Sequence, residues 1–218
     1  DQYLGLGAGE HVVAIVSLTA EPPIAIGTAQ GIVKRFAATE LAPGKLDAEI
    51  ISLKPGDRVV GAAPAPDGTE LVFVTSDAQL LRFDAAAVRP QGRAAGGMAG
   101  VRVADGERVI AFTAVTASED TVVVTIAGST QSLAGADAGS GKVSAFAEFP
   151  PKGRATGGVR AQRFLRGEDT LTLAWVGDSP RAVGTDGATR TLPEVGAKRD
   201  ASGQPLDGVI GAVGTVIA

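Results

Sequence analysis

The chain has 218 residues, enough to bury a core, and a single repeat array of this length forms one domain. Zero cysteine excludes a disulfide framework and any thiolate metal site, as expected in a reducing compartment. A formal charge of −4 excludes nucleic-acid binding by overall charge, so any such binding must come from local clusters of basic residues. No run of 18 apolar residues and no charged-then-apolar leader occurs, so neither a membrane span nor a signal peptide is expected.

Residues 1–8 read as a lead-in linker, and their Tyr3 is the single tyrosine of the chain. Gly5-Leu6-Gly7-Ala8-Gly9 looks like half of a dinucleotide fingerprint. It is followed by strand-like residues 11–18, HVVAIVSL, with no helix whose N-terminus could hold a pyrophosphate. A flexible linker is the better reading.

Residues 9–55 form the first of four repeats. A leading strand is expected over residues 11–18, then a hairpin of residues 24–28 and 32–36 across Ala29-Gln30-Gly31. In the return strand Ile32, Lys34 and Phe36 point one way and Val33 and Arg35 the other, which predicts a strand partly covered on each side. His11, the only histidine, has no second ligand and reads as a strand-surface residue.

Repeat two, residues 56–105, is the clearest copy: a strand over 71–75, a turn, a return strand over 80–83, and a basic loop Gly92-Arg93-Ala94-Ala95-Gly96-Gly97. Arg82 aligns with Arg35, and Arg89 and Arg102 flank the loop. Repeat three, residues 106–166, carries the loop again as residues 152–160, with Lys152, Arg154 and Arg160. Its insertion, residues 129–141, is small and polar and is expected to be a mobile, dispensable hairpin tip. The tip ends Gly139-Ser140-Gly141-Lys142, but Ala136 and Val143 occupy positions where a phosphate-binding P-loop needs glycine and a hydroxyl. Repeat four, residues 167–207, holds Trp175 in an apolar strand and an altered basic loop over residues 196–203, with Lys198 and Arg199. Residues 208–218 match a leading strand, so each blade is expected to borrow a strand from the next repeat.

Spacing ties the copies together. Gly9, Gly56, Gly106 and Gly167 stand 19, 19, 19 and 18 residues before Thr28, Thr75, Thr125 and Thr185. Glycines and threonines alike are expected at equivalent positions, in an all-β, propeller-like array of four interlocked blades. Hydrophobic content of 44% with only 4% aromatic predicts a core of Val, Ile, Leu and Ala. A glycine-rich loop with arginine offers backbone N–H groups and a forked cation to phosphate, and its recurrence places cations along a curved rim. On this ground Arg93 and Arg154 are first candidates for phosphate contact. Arg89, Arg102, Lys152 and Arg160 flank them, Lys198 and Arg199 of the altered fourth loop are further candidates, and Arg35 and Arg82 are second-rank strand-end candidates.

The segments LLRF…VRPQGRAAGGMAGVRV and KGRATGGVRAQRF resemble the repeats of the C-terminal domain of the A subunit of bacterial type IIA topoisomerases, DNA gyrase and topoisomerase IV. Repeats two and three match well, repeat one in its strands but not its loop, and repeat four loosely. The resemblance implies a β-pinwheel whose basic rim binds and bends double-stranded DNA. It also implies a non-catalytic domain that works with the N-terminal cleavage core, which holds the active-site tyrosine, and with a B subunit. The holoenzyme, and not this domain, then uses ATP and Mg2+, in a bacterial cytoplasm at the nucleoid. The Gln-Arg-Arg-Gly-Gly-Lys-Gly box of gyrase does not occur, so the pattern is closer to topoisomerase IV. The alternative is a β-propeller scaffold that binds protein, although no repeated Gly-His…Trp-Asp signature is present.

Overall fold

The computed structural model describes residues 5–17, 22–41, 48–132 and 137–215. Its strands are β1 (Ile24–Thr28), β2 (Ile32–Phe36), β3 (Val59–Pro64), β4 (Glu70–Thr75), β5 (Gln79–Asp84), β6 (Met98–Ala99), β7 (Val109–Val115) and β8 (Thr121–Gly128). They continue with β9 (Ser140–Ala145), β10 (Val159–Arg160), β11 (Thr170–Asp178), β12 (Arg181–Val183), β13 (Thr189–Arg190), β14 (Gln204–Pro205) and β15 (Ala212–Gly214). The helical elements are three single 3₁₀ turns, Ala38–Glu40, Ala85–Ala87 and Phe146–Glu148, so among the described residues no helix is long and apolar enough to cross a membrane.

Four sheets follow, ordered β3-β1-β2-β6, β10-β5-β4-β7, β11-β8-β9-β14 and β13-β12-β15. In the first three, a local hairpin is flanked by two strands of the next repeat: its leading strand on one edge and a short strand from its basic loop on the other. The interlock is thus double, where the repeat pattern predicts a single borrowed strand. In the fourth, β15 from the last stretch completes the blade as expected. Leading strands bulge against the hairpin at matching places, between Gly27 and Thr28, between Val74 and Thr75, and between Leu171 and Leu173.

The apolar run of β4 is explained by burial on both faces. Leu71 and Phe73 face blade one with Ala25, Val33 and Phe112, while Val72 and Val74 face blade three with Val123, Phe146 and Phe149. The cores therefore lie between blades, and no repeat could bury its faces alone. Cross-blade hydrogen bonds add to this seam, from Val109 N to Ala29 O and from Leu171 N to Ser76 O.

The four spacer glycines are equivalent, as expected. Gly9, Gly56, Gly106 and Gly167 all have φ between +75° and +93°. Each precedes an acid whose N–H bonds the carbonyl three residues back, the geometry of a turn that needs glycine at its third position. The acids have a use not foreseen from spacing. Asp57 accepts from Thr28 Oγ1 and Gln30 N, and Glu107 from Ser76 Oγ, so a carboxylate of the following repeat braces the hairpin turn before it.

Three expectations are corrected. Thr28 and Thr75 are equivalent, each accepting the N–H four residues on, but Thr125 lies inside β8 opposite Lys142 and Thr185 lies in a turn beyond β12. Ala127 and Gly184 hold the matching places, because repeat three lengthens its first hairpin strand and repeat four shortens its own. Residues 11–17 form no strand, and Leu18 lies outside the described residues. Each later leading strand pairs with the hairpin of the blade before it, and no described hairpin precedes this one; Val12, Val13 and Ile15 are left exposed. The insertion is anchored rather than loose at both ends: Asp169 holds Thr130 N and Oγ1, and Ser140 and Gly141 belong to β9 and are buried. Residues 133–136 lie outside the described residues.

Candidate nucleic-acid interface

Each basic loop reaches back to the blade before it. Gln91 N and Lys152 N bond the carbonyls of Arg35 and Arg82, and Gly196 N and Ala197 N that of Val143. This places residues 91–99, 152–160 and 197–205 in register, so Arg93, Arg154 and Arg199 are equivalent. Each of these arginines donates to one carbonyl of the preceding loop: Arg93 Nε to Glu49 O at 3.4 Å, Arg154 Nη1 to Ala99 O, and Arg199 Nη1 to Arg160 O at 3.5 Å. Those acceptors stand seven residues before Gly56, Gly106 and Gly167 respectively. The three loops are thus stapled into one continuous rim. Arg93, Arg154 and Arg199 are half-buried along it, while Arg89, Arg102, Lys152, Arg160 and Lys198 are exposed.

Two buried ammonium groups support the rim from beneath. Lys34 in β2 donates to the carbonyls of Ile50, Arg93 and Ala95 at 2.6, 2.8 and 3.0 Å. Lys142, at the matching place in β9, donates to the carbonyls of Lys198 and Arg199. Leu81 stands there in blade two, and the loop over it is held instead by Thr156 Oγ1 bonding Gly153 O. Strand periodicity marks neither lysine as an anchor, since the bonded carbonyls lie up to 61 residues away in sequence.

Arg35 and Arg82 leave the list of phosphate candidates. Arg35 is 3% exposed; Nη1 donates to the carbonyls of Ala85 and Val88, and Nη2 pairs with Asp67 at 2.8 Å. Arg82 donates to Phe149 O, lies near Glu70 and stacks 4.4 Å above the Phe146 ring. Val88 and Phe149 end equivalent 3₁₀ turns of successive repeats, so both arginines fasten blade to blade. The return strand of blade one is covered on both faces, not partly as its pattern suggests.

Burial pushes the Lys142 ammonium down from 10.5 to about 8, against the pull of Asp200 and Glu148 and with help from Arg199. Lys34 is lowered by burial too, with Glu40 and Glu49 opposing. A lysine depressed in the folded state binds fewer protons there than in the unfolded chain between pH 8 and 10.5. Its contribution to stability is therefore complete above 10.5 and is lost as pH falls through about 8. The expected result is that the stability of the protein relative to Lys142→Met rises on the order of 1 kcal/mol from pH 8 to 10, after screening by solvent at the loop. Urea unfolding at both pH values checks this, and a fall in that difference would contradict it.

Known proteins place this geometry. The family described as "DNA gyrase C-terminal domain, beta-propeller" matches residues 23–45, 49–66, 69–116 and 133–174, more than half of the chain. The chain belongs to that family. The gyrase C-terminal match takes in the loops of Arg93 and Arg154, whereas Lys198 and Arg199 lie outside it and are tied to the pattern by position alone. The chain is 34% identical over 150 residues to topoisomerase subunit TopoM of Mycolicibacterium smegmatis, covering 68% of this chain and 19% of that protein. It is 28% identical over 171 residues to the DNA gyrase A subunit of Mycobacterium tuberculosis, covering 77% and 19%. It spans about a fifth of the length of these relatives. Among solved structures, a DNA gyrase A C-terminal domain superposes with a TM-score of 0.76 at 17% identity, covering 97% of this chain and 72% of the other. The C-terminal domain of DNA topoisomerase IV gives 0.74 at 20% identity, covering 91% and 63%. These likenesses establish the pinwheel fold. Among the exposed cations that the sequence does not single out is Arg163, four residues before Gly167, in the place that Arg102 holds before Gly106.

Proposed function

We propose that this chain is the non-catalytic, DNA-binding and DNA-bending C-terminal domain of the A subunit of a type IIA topoisomerase, presenting duplex to a strand-passage core. The observation that carries this reading is the stapled rim of basic loops in a chain of the gyrase C-terminal family. Supporting it, equivalent arginines recur once per loop, each bonded to a carbonyl of the loop before it, against an acidic total charge. Residues 149–167 hold Lys152, Arg154, Arg160, Arg163 and Arg166 and no aspartate or glutamate. The rest of the holoenzyme, with its B subunit, is assigned cleavage by an active-site tyrosine and ATP hydrolysis with Mg2+, at the nucleoid of a bacterial cytoplasm. The absence of the seven-residue gyrase box supports a topoisomerase IV-like variant, one that contacts duplex without full wrapping.

Gel-shift titrations across salt test the reading. Contacts to phosphate carry no base information, so two duplexes of unrelated sequence are expected to bind alike. With four to six phosphates neutralised, the log–log slope against salt is expected at about −4 to −5. Affinity is expected to grow with duplex length until the rim is covered. No retention of duplex at low salt, or retention independent of salt, would refute DNA binding and return the protein-scaffold alternative.

A further inference from the structure

The rim is not uniform. Three junctions between successive loops share the same plan: a residue seven before the spacer glycine, one four before it, and the stapling arginine of the next loop. At the first these are Glu49, Ser52 and Arg93, at the second Ala99, Arg102 and Arg154, and at the third Arg160, Arg163 and Arg199. Backbone bonds fix the middle position against the next loop at both later junctions, Arg102 N to Thr156 O and Arg163 N to Ala201 O.

The chemistry at the three differs. Arg93 and Glu49 line one shallow crevice with Ser52 and Ala94, so a cation and a carboxylate share it. The second junction opens on a crevice of about 520 Å3 lined by Arg102 and Lys152 and also by Asp77 and Asp105. There the Arg102 guanidinium lies over Gly157, its Nη2 3.6 Å from where a Cβ on that residue would stand. The third holds Arg160, Arg163, Lys198 and Arg199 beside one carboxylate, Asp200. Among the described residues, the Arg102 and Arg163 guanidinium groups have no hydrogen-bond or ion-pair partner, unlike the stapled Arg154 and Arg199. An exposed arginine free to move beside one held by its carbonyl contact can follow a phosphate without ordering both side chains anew.

Resting on the DNA-binding reading above, we propose that phosphodiester contact is confined to the second and third junctions, as two arginine pairs, Arg102 with Arg154 and Arg163 with Arg199. The first junction, where the acid Glu49 lines the crevice of Arg93, takes no phosphate. The duplex path therefore runs along the loops carried by blades two and three and leaves the rim before the loop of blade one.

Salt-dependent gel shifts on the purified chain decide this with single variants, each checked for fold by circular dichroism. Arg163→Ala and Arg102→Ala are each expected to reduce the slope by about 0.9 and the affinity at 0.15 M salt by about five-fold, the effect of one counterion no longer released between 0.15 and 1 M. Arg163→Lys keeps the charge and should keep the slope. Arg93→Ala should leave both quantities unchanged. Equal losses for Arg93→Ala and Arg163→Ala would overturn the proposal while leaving DNA binding intact, as would an Arg163→Ala variant that binds like the wild type. A wild type without salt-sensitive binding would remove the DNA-binding reading and this assignment together.

Discussion

Phe112→Ala is expected to destabilise the protein by about 3–5 kcal/mol, the range for deleting a buried aromatic ring. Phe112 lies in β7, a strand of the third repeat that completes blade two, and its ring faces blade one. The ring centroid is 4.7 Å from that of Phe73, and the ring covers Gly27 so closely that a Cβ there would stand 2.2 Å from Phe112 Cγ. The cavity would thus open at the seam between blades, where hairpin, borrowed strand and neighbouring blade meet. Urea unfolding should show the full loss in one transition, since neither blade keeps a covered face without the other. A loss below about 1 kcal/mol would mean that the seam collapses around the gap and that blades hold independently.

Arg35→Met carries the second large effect, and it separates two roles for one residue. The substitution leaves the Val88 carbonyl without its donor in a buried seam, at about 1–3 kcal/mol, while the Ala85 carbonyl keeps the Val88 N–H. The ion pair adds little, since Asp67 is 75% exposed. Relief of the buried Arg35 Nε, which has no partner, offsets part of the loss. A net destabilisation of about 1–3 kcal/mol is expected, with the salt slope of DNA binding unchanged under conditions where the variant is folded. A slope reduced by about 0.9 with stability intact would restore Arg35 to the rim.

Arg35 and Arg154 show where sequence reading stops. Both are arginines in a recurring pattern, and each has a lysine within two residues before it. One is sealed between blades and the other staples an open loop, because the atoms that receive them lie about fifty residues away: Ala85 and Val88 for Arg35, Ala99 for Arg154. Glu49 likewise looks like any surface acid until register places it in the crevice that Arg93 lines and sets the first junction apart from the others.

What the amino-acid sequence determined by itself is local and periodic. Glycines at Gly9, Gly56, Gly106 and Gly167 dictate turns with positive φ, since a Cβ disfavours that backbone. Unbroken apolar runs such as 71–74 dictate strands covered on both faces, and the repeat of some fifty residues dictates blades that need neighbours. Tertiary structure alone decided which cations are free. Lys34, Lys142, Arg35 and Arg82 became anchors, and Arg102 and Arg163 stayed unpaired, because burial and hydrogen-bond capture arise between repeats that sequence spacing aligns but does not bring into contact. It also decided that Thr125 and Thr185, equally spaced from their glycines, are not equivalent: one longer and one shorter hairpin strand shift the turn past them, and a count of residues cannot register where a strand bends.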